Sequence, residues 1–281
     1  MISQETNKSR DMVRKPRLKT QFVSSLYFLD MSSSIGIISA VPAELHLILE
    51  ELQSVQSHDI AGRTFHHGFL FNKSVILVLS GIGKVSSAVT STILIQHFKI
   101  SSILFIGTAG ALSSFLKVGD IVIADKLAHH DFNCDPIFHR GLIPSCNKIH
   151  LHSNPLLLKS AITSASAVVS NPSFIEALSS LDLSPFPSVK VGLVMSGDRF
   201  INDPVLTSDI LSYEPFSTAL CCEMEGAAVA QVCSEFDVPF VVVRIVSDGA
   251  GDGAHVDWTS FCDCVAGKFG VLFVEEYLKN I

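Results

Sequence analysis

From Ile35 onward short, unbroken apolar runs alternate with longer stretches of helical spacing, the pattern of strands wrapped by helices on both faces. Ile35-Gly36-Ile37-Ile38 is continuous and rich in β-branched residues, as a strand buried on both faces should be. Pro42 follows where the first turn of a helix tolerates it, which places Glu44 in that turn. Residues 65–71 and 74–79 flank Asn72-Lys73 and predict a hairpin, followed by a Gly-Ile-Gly turn at 81–83 and a helix through His97. Further strands are expected at 103–107, 120–124, 189–195, 219–222 and 240–246. Helices are expected at 156–168, near Glu225 and near Trp258, and residues 129–150 read as loop. Asn171-Pro172 and Ser184-Pro185-Phe186-Pro187 bracket a segment that looks inserted and peripheral.

Length and composition narrow the class. At 281 residues, 48% hydrophobic and 17% charged, the chain has material for one large buried core. The net charge is −7, and because the first thirty residues carry six Lys/Arg against three Asp/Glu, the remainder is more acidic still. Such a body is a poor nucleic-acid binder, since phosphate neutralisation needs clustered cations. Mean hydropathy is +0.42, yet no apolar run reaches the length needed to span a bilayer. Seven cysteines, with Cys221-Cys222 adjacent and Cys262-x-Cys264, fit neither a redox pair nor a zinc knuckle and read as buried thiols of a reducing compartment. Lys8, Arg10, Arg14, Lys15, Arg17 and Lys19 precede a short apolar patch that serines break and no cleavage site follows. Residues 1–32 are therefore expected to be a disordered extension or an over-long start rather than an export signal, with one domain over 33–281.

Polar groups recur at the carboxyl ends of the expected strands, where ligands collect in α/β sheets. Ser39 with Glu44, Thr108, Ser196-Gly197-Asp198, Glu223-Met224-Glu225, and Arg244 with Ser247-Asp248 mark five such ends. Singly, each has an ordinary explanation: an acid in a first helical turn complements the helix dipole, and an acid after a strand often caps the next helix. The set is harder to explain that way, because Glu223, Glu225 and Asp248 stand among apolar residues where an unpaired carboxylate is costly to bury. His129-His130-Asp131 with Cys134, Asp135 and His139 fits no standard zinc spacing, so no metal is expected. Gly81-Ile82-Gly83-Lys84 lacks the Walker spacing and reads as a tight turn with Lys84 in solvent.

Several of these segments together resemble the motif set of the 5'-methylthioadenosine/S-adenosylhomocysteine nucleosidases. They are residues 35–44 (IGIISAVPAE), 80–84 (SGIGK), 119–122 (GDIV), 196–201 (SGDRFI), 223–225 (EME) and 241–248 (VVVRIVSD), in the family's order. The resemblance implies a single-domain, three-layer α/β/α fold with a central mixed sheet, of the purine nucleoside phosphorylase type. It implies hydrolysis of the N-glycosidic bond of a 5'-modified adenosine, with the nucleoside and water as reactants, no nucleic-acid or membrane partner and no cofactor. Asp248 then resembles the general acid to adenine N7, Glu44 the general base to water, and Arg244 the residue that helps fix that water. Glu225 matches the ligand of the ribose hydroxyls, with Met224 beneath the sugar, Phe200 stacked on adenine and the Ile201 backbone reading the base edge. Glu223, Gly110, Ile82 and Ser247 are carried over as substrate-binding positions.

Val41 stands where many relatives have Met, Thr108 where many have Ser, and Trp258 where the family often has Phe, which leaves the 5' substituent open. Methylthioadenosine, S-adenosylhomocysteine, 5'-deoxyadenosine and 6-amino-6-deoxyfutalosine are the candidates, the last tied to menaquinone synthesis. A cytoplasmic homodimer is expected, since relatives complete the 5' pocket with a neighbouring subunit. Two other readings compete: a phosphorylase of the same superfamily, which would need cations around its phosphate, and a non-catalytic nucleoside-binding or storage protein, for which the acid and base would be superfluous.

Overall fold

The computed structural model describes residues 34–183, 186–249 and 254–281, without the side chains of 254–257; the expected N-terminal extension lies outside them. The elements in chain order are β1 (Ile35–Ser39), α1 (Pro42–Glu50), β2 (Gln53–Ile60), β3 (Arg63–Leu70), β4 (Lys73–Leu79), α2 (Lys84–Gln96), β5 (Ser102–Ala111), β6 (Ile121–His129) and β7 (Leu151–His152). They continue with α3 (Pro155–Val168), α4 (Pro172–Ser179), β8 (Val189–Ser196), α5 (Pro204–Ser212), β9 (Ala219–Glu223), α6 (Gly226–Glu235), β10 (Phe240–Asp248), α7 (Ala254–Phe261) and α8 (Gly267–Lys279). A π-helical turn, Cys262–Ala266, joins the last two helices.

The strands form one mixed sheet in the order β10-β6-β8-β9-β5-β1-β4-β3-β2, with β7 on β6. β10 also pairs with β5, so β5, β9, β8, β6 and β10 close on themselves while β1 to β4 extend as an open wing. β5 runs parallel to β1 and β10 but antiparallel to β9, which it meets only at Gly110–Cys222 and Ala111–Cys221. That short crossing sets residues 223–225 beside residues 108–110, and it is the reason the candidate residues can converge.

Helices cover both faces. Leu45 and Ile48 of α1, Ala161 and Ala165 of α3, and Phe269, Phe273 and Tyr277 of α8 bury against one side of the sheet. Leu94 of α2 and Ala227, Val229 and Ala230 of α6 bury against the other. The leucine, isoleucine, valine and phenylalanine side chains among them contribute about 1.5–3 kcal/mol each when fully buried, and the alanines let the helices approach the sheet closely.

Three readings are corrected. The 171–188 segment is not peripheral: Phe174 and Leu178 of α4 are fully buried, Phe174 packing on Phe269 with ring centroids 6.2 Å apart, so this surface-looking segment closes one end of the core. Lys84 is not solvated, because its Nζ lies 2.5 Å from Asp131 Oδ1. Of the seven free thiols, Cys221, Cys222, Cys233 and Cys262 are buried as expected, but Cys134 and Cys146 are half-buried and Cys264 is exposed.

Candidate active site

A cavity of about 320 Å³ opens where β1, β5, β8, β9 and β10 end, and it is lined by Glu44, Asp248, Arg244, Glu225, Met224, Glu223, Phe200, Ile201, Thr108, Gly110, Ile82, Val41, Ser247 and Trp258, whereas Ser39, Ser196, Gly197 and Asp198 at the strand ends stand outside its lining. Ala40, Ala109, Arg199 and Cys222 line it too and were missed. No separate signal marked them in the chain, apart from their adjacency to positions that were.

Glu44 enters from the first turn of α1 and is 4% exposed. Its Oε1 accepts from Thr108 N (2.8 Å) and Thr108 Oγ1 (3.0 Å), its Oε2 from Ala40 N (3.1 Å) and Val41 N (3.3 Å). The ordinary helix-capping role and the cavity role therefore coincide: the bonds that cap the helix also fix the carboxylate at the cavity wall. Thr108 Oγ1 in turn accepts from Trp258 Nε1 at 2.9 Å.

Arg244 is 1% exposed, sits in register with Gly107 across the β10–β5 pairing, and lies over the Phe105 ring at 4.0 Å. A Cβ on Gly107 would stand 2.7 Å from Arg244 Nη1 and 2.9 Å from Glu44 Oε1, so only glycine lets the guanidinium and the carboxylate converge here. A glycine inside an otherwise apolar run, as Gly107 is after residues 103–106, is the sequence signal for such a close approach.

Burial works against the Arg244 charge, but Glu223, Glu225 and Glu44 together hold its pKa above the ordinary value. Its Nη2 pairs closely with Glu223 Oε2 and lies 3.9 Å from Glu225 Oε2. The Glu223 carboxylate also accepts from Ser196 Oγ, from Glu225 N (3.2 Å) and from Gly226 N (2.9 and 2.8 Å). Protein donors thus saturate Glu223, which touches the cavity but has little accepting capacity left for a ligand.

Glu225 precedes α6, and its Oε1 accepts from Gly83 N at 2.9 Å. Gly83 has φ +100°, a conformation that L side chains rarely adopt, and its N–H reaches the carboxylate only through that turn. The turn is clasped further by Asp198, whose Oδ1 accepts from Lys84 N (2.8 Å), and by Asp131, which takes Asp198 N (2.8 Å) as well as the Lys84 ammonium. Burial first, and the Glu223 charge next, push Glu225 up to about 8, against the pull of Arg244 and the Gly83 N–H.

Asp248 closes β10 and is 2% exposed. The β10–β5 register slips between Val246 and Asp248, and a bulge of this kind breaks strict alternation, so Ser247 and Asp248 both face the cavity. Ser247 Oγ donates to Asp248 Oδ2 at 2.9 Å. Phe200 is 38% exposed, unlike a core aromatic, and its ring forms part of the cavity wall. Among the described residues no group of three or more His, Cys, Asp or Glu side chains is placed to hold a metal ion.

The arrangement offers a buried carboxyl at each of three strand or helix ends, one guanidinium locked to acids, and an aromatic at the mouth, which suits a small neutral or cationic ligand with hydroxyls. Comparison with known proteins agrees. Residues 34–278 match the family model of the Phosphorylase superfamily. The 5'-methylthioadenosine/S-adenosylhomocysteine nucleosidase of Shewanella sediminis is 35% identical over 248 residues, 88% of this chain and 99% of the relative. The nucleosidase of that name from Neisseria meningitidis, solved with methylthio-immucillin-A, superposes with a TM-score of 0.78 at 30% identity, covering 89% of this chain and all of that one. The futalosine hydrolase of Helicobacter pylori gives 0.73 at 30% identity, over 89% of this chain and 99% of its own. On this match in motif, fold and extent, the chain belongs to the 5'-methylthioadenosine/S-adenosylhomocysteine nucleosidase family of the Phosphorylase superfamily.

Proposed function

We propose that the protein hydrolyses the N-glycosidic bond of 5'-modified adenosines, releasing adenine. The observation that carries this reading is that Glu44 and Asp248, brought from opposite ends of the chain, line the same cavity with Glu225 and Arg244. Breaking the bond builds positive charge on the ribose as the base departs, so the site must neutralise adenine, stabilise the cation and supply water. Asp248 gives its proton to adenine N7 as the bond from the anomeric carbon to N9 breaks, and the bonding electrons leave with the base. Water attacks the anomeric carbon and passes a proton to Glu44. Of the two Glu44 oxygens, Oε2 has the longer protein bonds and keeps the better claim on that water. Arg244 holds the Glu223–Glu225 side of the site in place beside it, and Glu223 acts as a brace rather than as a ligand.

Glu225 takes the ribose hydroxyls, which requires a carboxylate, whereas the empty site favours its protonated form up to about pH 8. A nucleoside analogue is therefore expected to release up to about one proton on binding near pH 7, and to bind more tightly as pH rises toward about 8. Titration calorimetry in buffers of different ionisation enthalpy reads this directly. The same shift fixes the sign for folding. Between the ordinary glutamate value and about 8 the folded state holds a proton that the unfolded state has lost, so this residue's contribution to stability falls as pH rises through that window.

The phosphorylase alternative asks for cations free to meet a phosphate. Among the described residues the cavity-lining cations are Arg244, already engaged by Glu223, and the exposed Arg199. A phosphate-free assay of adenine release from methylthioadenosine, S-adenosylhomocysteine, 5'-deoxyadenosine and 6-amino-6-deoxyfutalosine, compared by kcat/KM, tests the reading. Release without phosphate is expected, and no release from any of the four would end it. The working form we infer is a cytoplasmic homodimer. No helix of the described residues is long and apolar enough to cross a membrane, and large side chains such as Phe115 and Ile137, 86% and 78% exposed, offer apolar surface to a second copy.

A further inference from the structure

We infer that Trp258 is a positioning residue for Glu44, acting through the Thr108 hydroxyl. An indole N–H can only donate, and a threonine hydroxyl has one proton and a freely rotating O–H bond. Trp258 Nε1 donates to Thr108 Oγ1 at 2.9 Å, and Thr108 Oγ1 lies 3.0 Å from Glu44 Oε1. Because the indole can only donate, it leaves the hydroxyl proton to the carboxylate within reach. Oε1 then holds two donors from one residue, the hydroxyl and the Thr108 N–H at 2.8 Å, and these set the plane of the carboxylate together with the longer bonds from Ala40 N and Val41 N to Oε2. Cys262 touches the same hydroxyl, but burial, with the Glu44 charge next, pushes its thiol up to about 12, so it stays neutral and does not compete with Glu44 for the proton as a charged acceptor would.

The chain Trp258–Thr108–Glu44 ties α7 to β5 and α1. A phenylalanine at 258 could line the same wall but could not orient the hydroxyl. The inference rests on the reading of Glu44 as the base, and its consequence is specific: Trp258 serves the rate of the water-attack step more than the affinity for the nucleoside.

Trp258→Phe, Thr108→Val and the double variant test it in the full chain with methylthioadenosine as substrate. Each single change is expected to lower kcat about tenfold, the scale of one hydrogen bond, while KM moves by less than about threefold. The double variant should be no slower than the slower single one within about threefold, because both substitutions cut the same chain. Thr108→Ser, which keeps both bonds, should retain kcat within about twofold. If Thr108→Val does not fold, Trp258→His carries the comparison: its ring keeps an N–H, and its kcat should exceed that of Trp258→Phe. Trp258 is the single tryptophan of the sequence, so its emission reports the bond without any turnover. Thr108→Val should displace the emission maximum of the parent, and Trp258→Phe should abolish it. Losses that multiply in the double variant, or that fall wholly in KM, would make Trp258 a wall residue and overturn the inference. Unchanged emission in Thr108→Val would show that the bond does not exist. Absence of adenine release by the parent would end the hydrolase reading separately, with the emission comparison still deciding the bond.

Discussion

Asp248→Asn is expected to lower adenine release by about 10²- to 10⁴-fold, the usual contribution of a positioned acid, while leaving the fold intact. The amide is isosteric with the carboxyl and can still accept the Ser247 hydroxyl, now 2.9 Å from Oδ2, so the bulge that turns residues 247 and 248 into the cavity has no reason to relax. What the amide lacks is a proton it can transfer to adenine. The loss should therefore sit in kcat, with the unfolding midpoint and the affinity for a nucleoside analogue close to those of the parent. Turnover within about tenfold of the parent would mean that the leaving base is protonated by another group.

Arg244→Met should lower stability by about 3–5 kcal/mol, because it strands the buried Glu223 carboxylate rather than because it removes one attractive contact. Arg244 and Glu223 are 1% and 8% exposed, and Glu225 lies within 3.9 Å of the same guanidinium. Without the cation, Glu223 faces Glu225 with only neutral donors between them. Denaturant unfolding of Arg244→Met reads the loss. Adding Glu223→Gln should recover part of it, since the amide carries no charge to leave uncompensated. A double variant as unstable as the single one would show that the cost arises from lost packing on Phe105 instead.

How much of this was legible depends on what each residue faces. The runs at 35–38 and 240–246 announce their strands because they are buried on both sides, and the two elements fall at Ile35–Ser39 and Phe240–Asp248. β2 escaped notice for the opposite reason: Gln53–Ile60 is an exposed edge with mostly polar residues on both faces, so neither an apolar run nor an alternation marks it. α5, Pro204–Ser212, buries only Ile210 and left an equally faint trace. Residues 171–188 misled because prolines at both ends suggest an excursion, whereas Phe174 and Leu178 are drawn inward by α8 and by the gap over Gly119. At the site, the residue types at the strand ends sufficed to assemble one cavity. The partners did not follow from them: apart from the local bond from Gly226 N, the saturation of Glu223 comes from Ser196 and Arg244, and the support of Glu44 from Thr108 and Trp258, contacts between segments far apart in the chain.

That ring of strands also governs how copies of the chain can meet wrongly. Five strands spend their backbone donors and acceptors on one another, so the exposed margins among the described strands are β2 and the two-residue β7. β2 presents Gln53, Ser54, Gln56, Ser57 and Asp59, all exposed, beside the exposed Val55, and a mostly polar rim of this kind is a poor template for intermolecular strand addition. A chain nearly half hydrophobic is thereby kept from fibril-like association at the one long margin where it could begin.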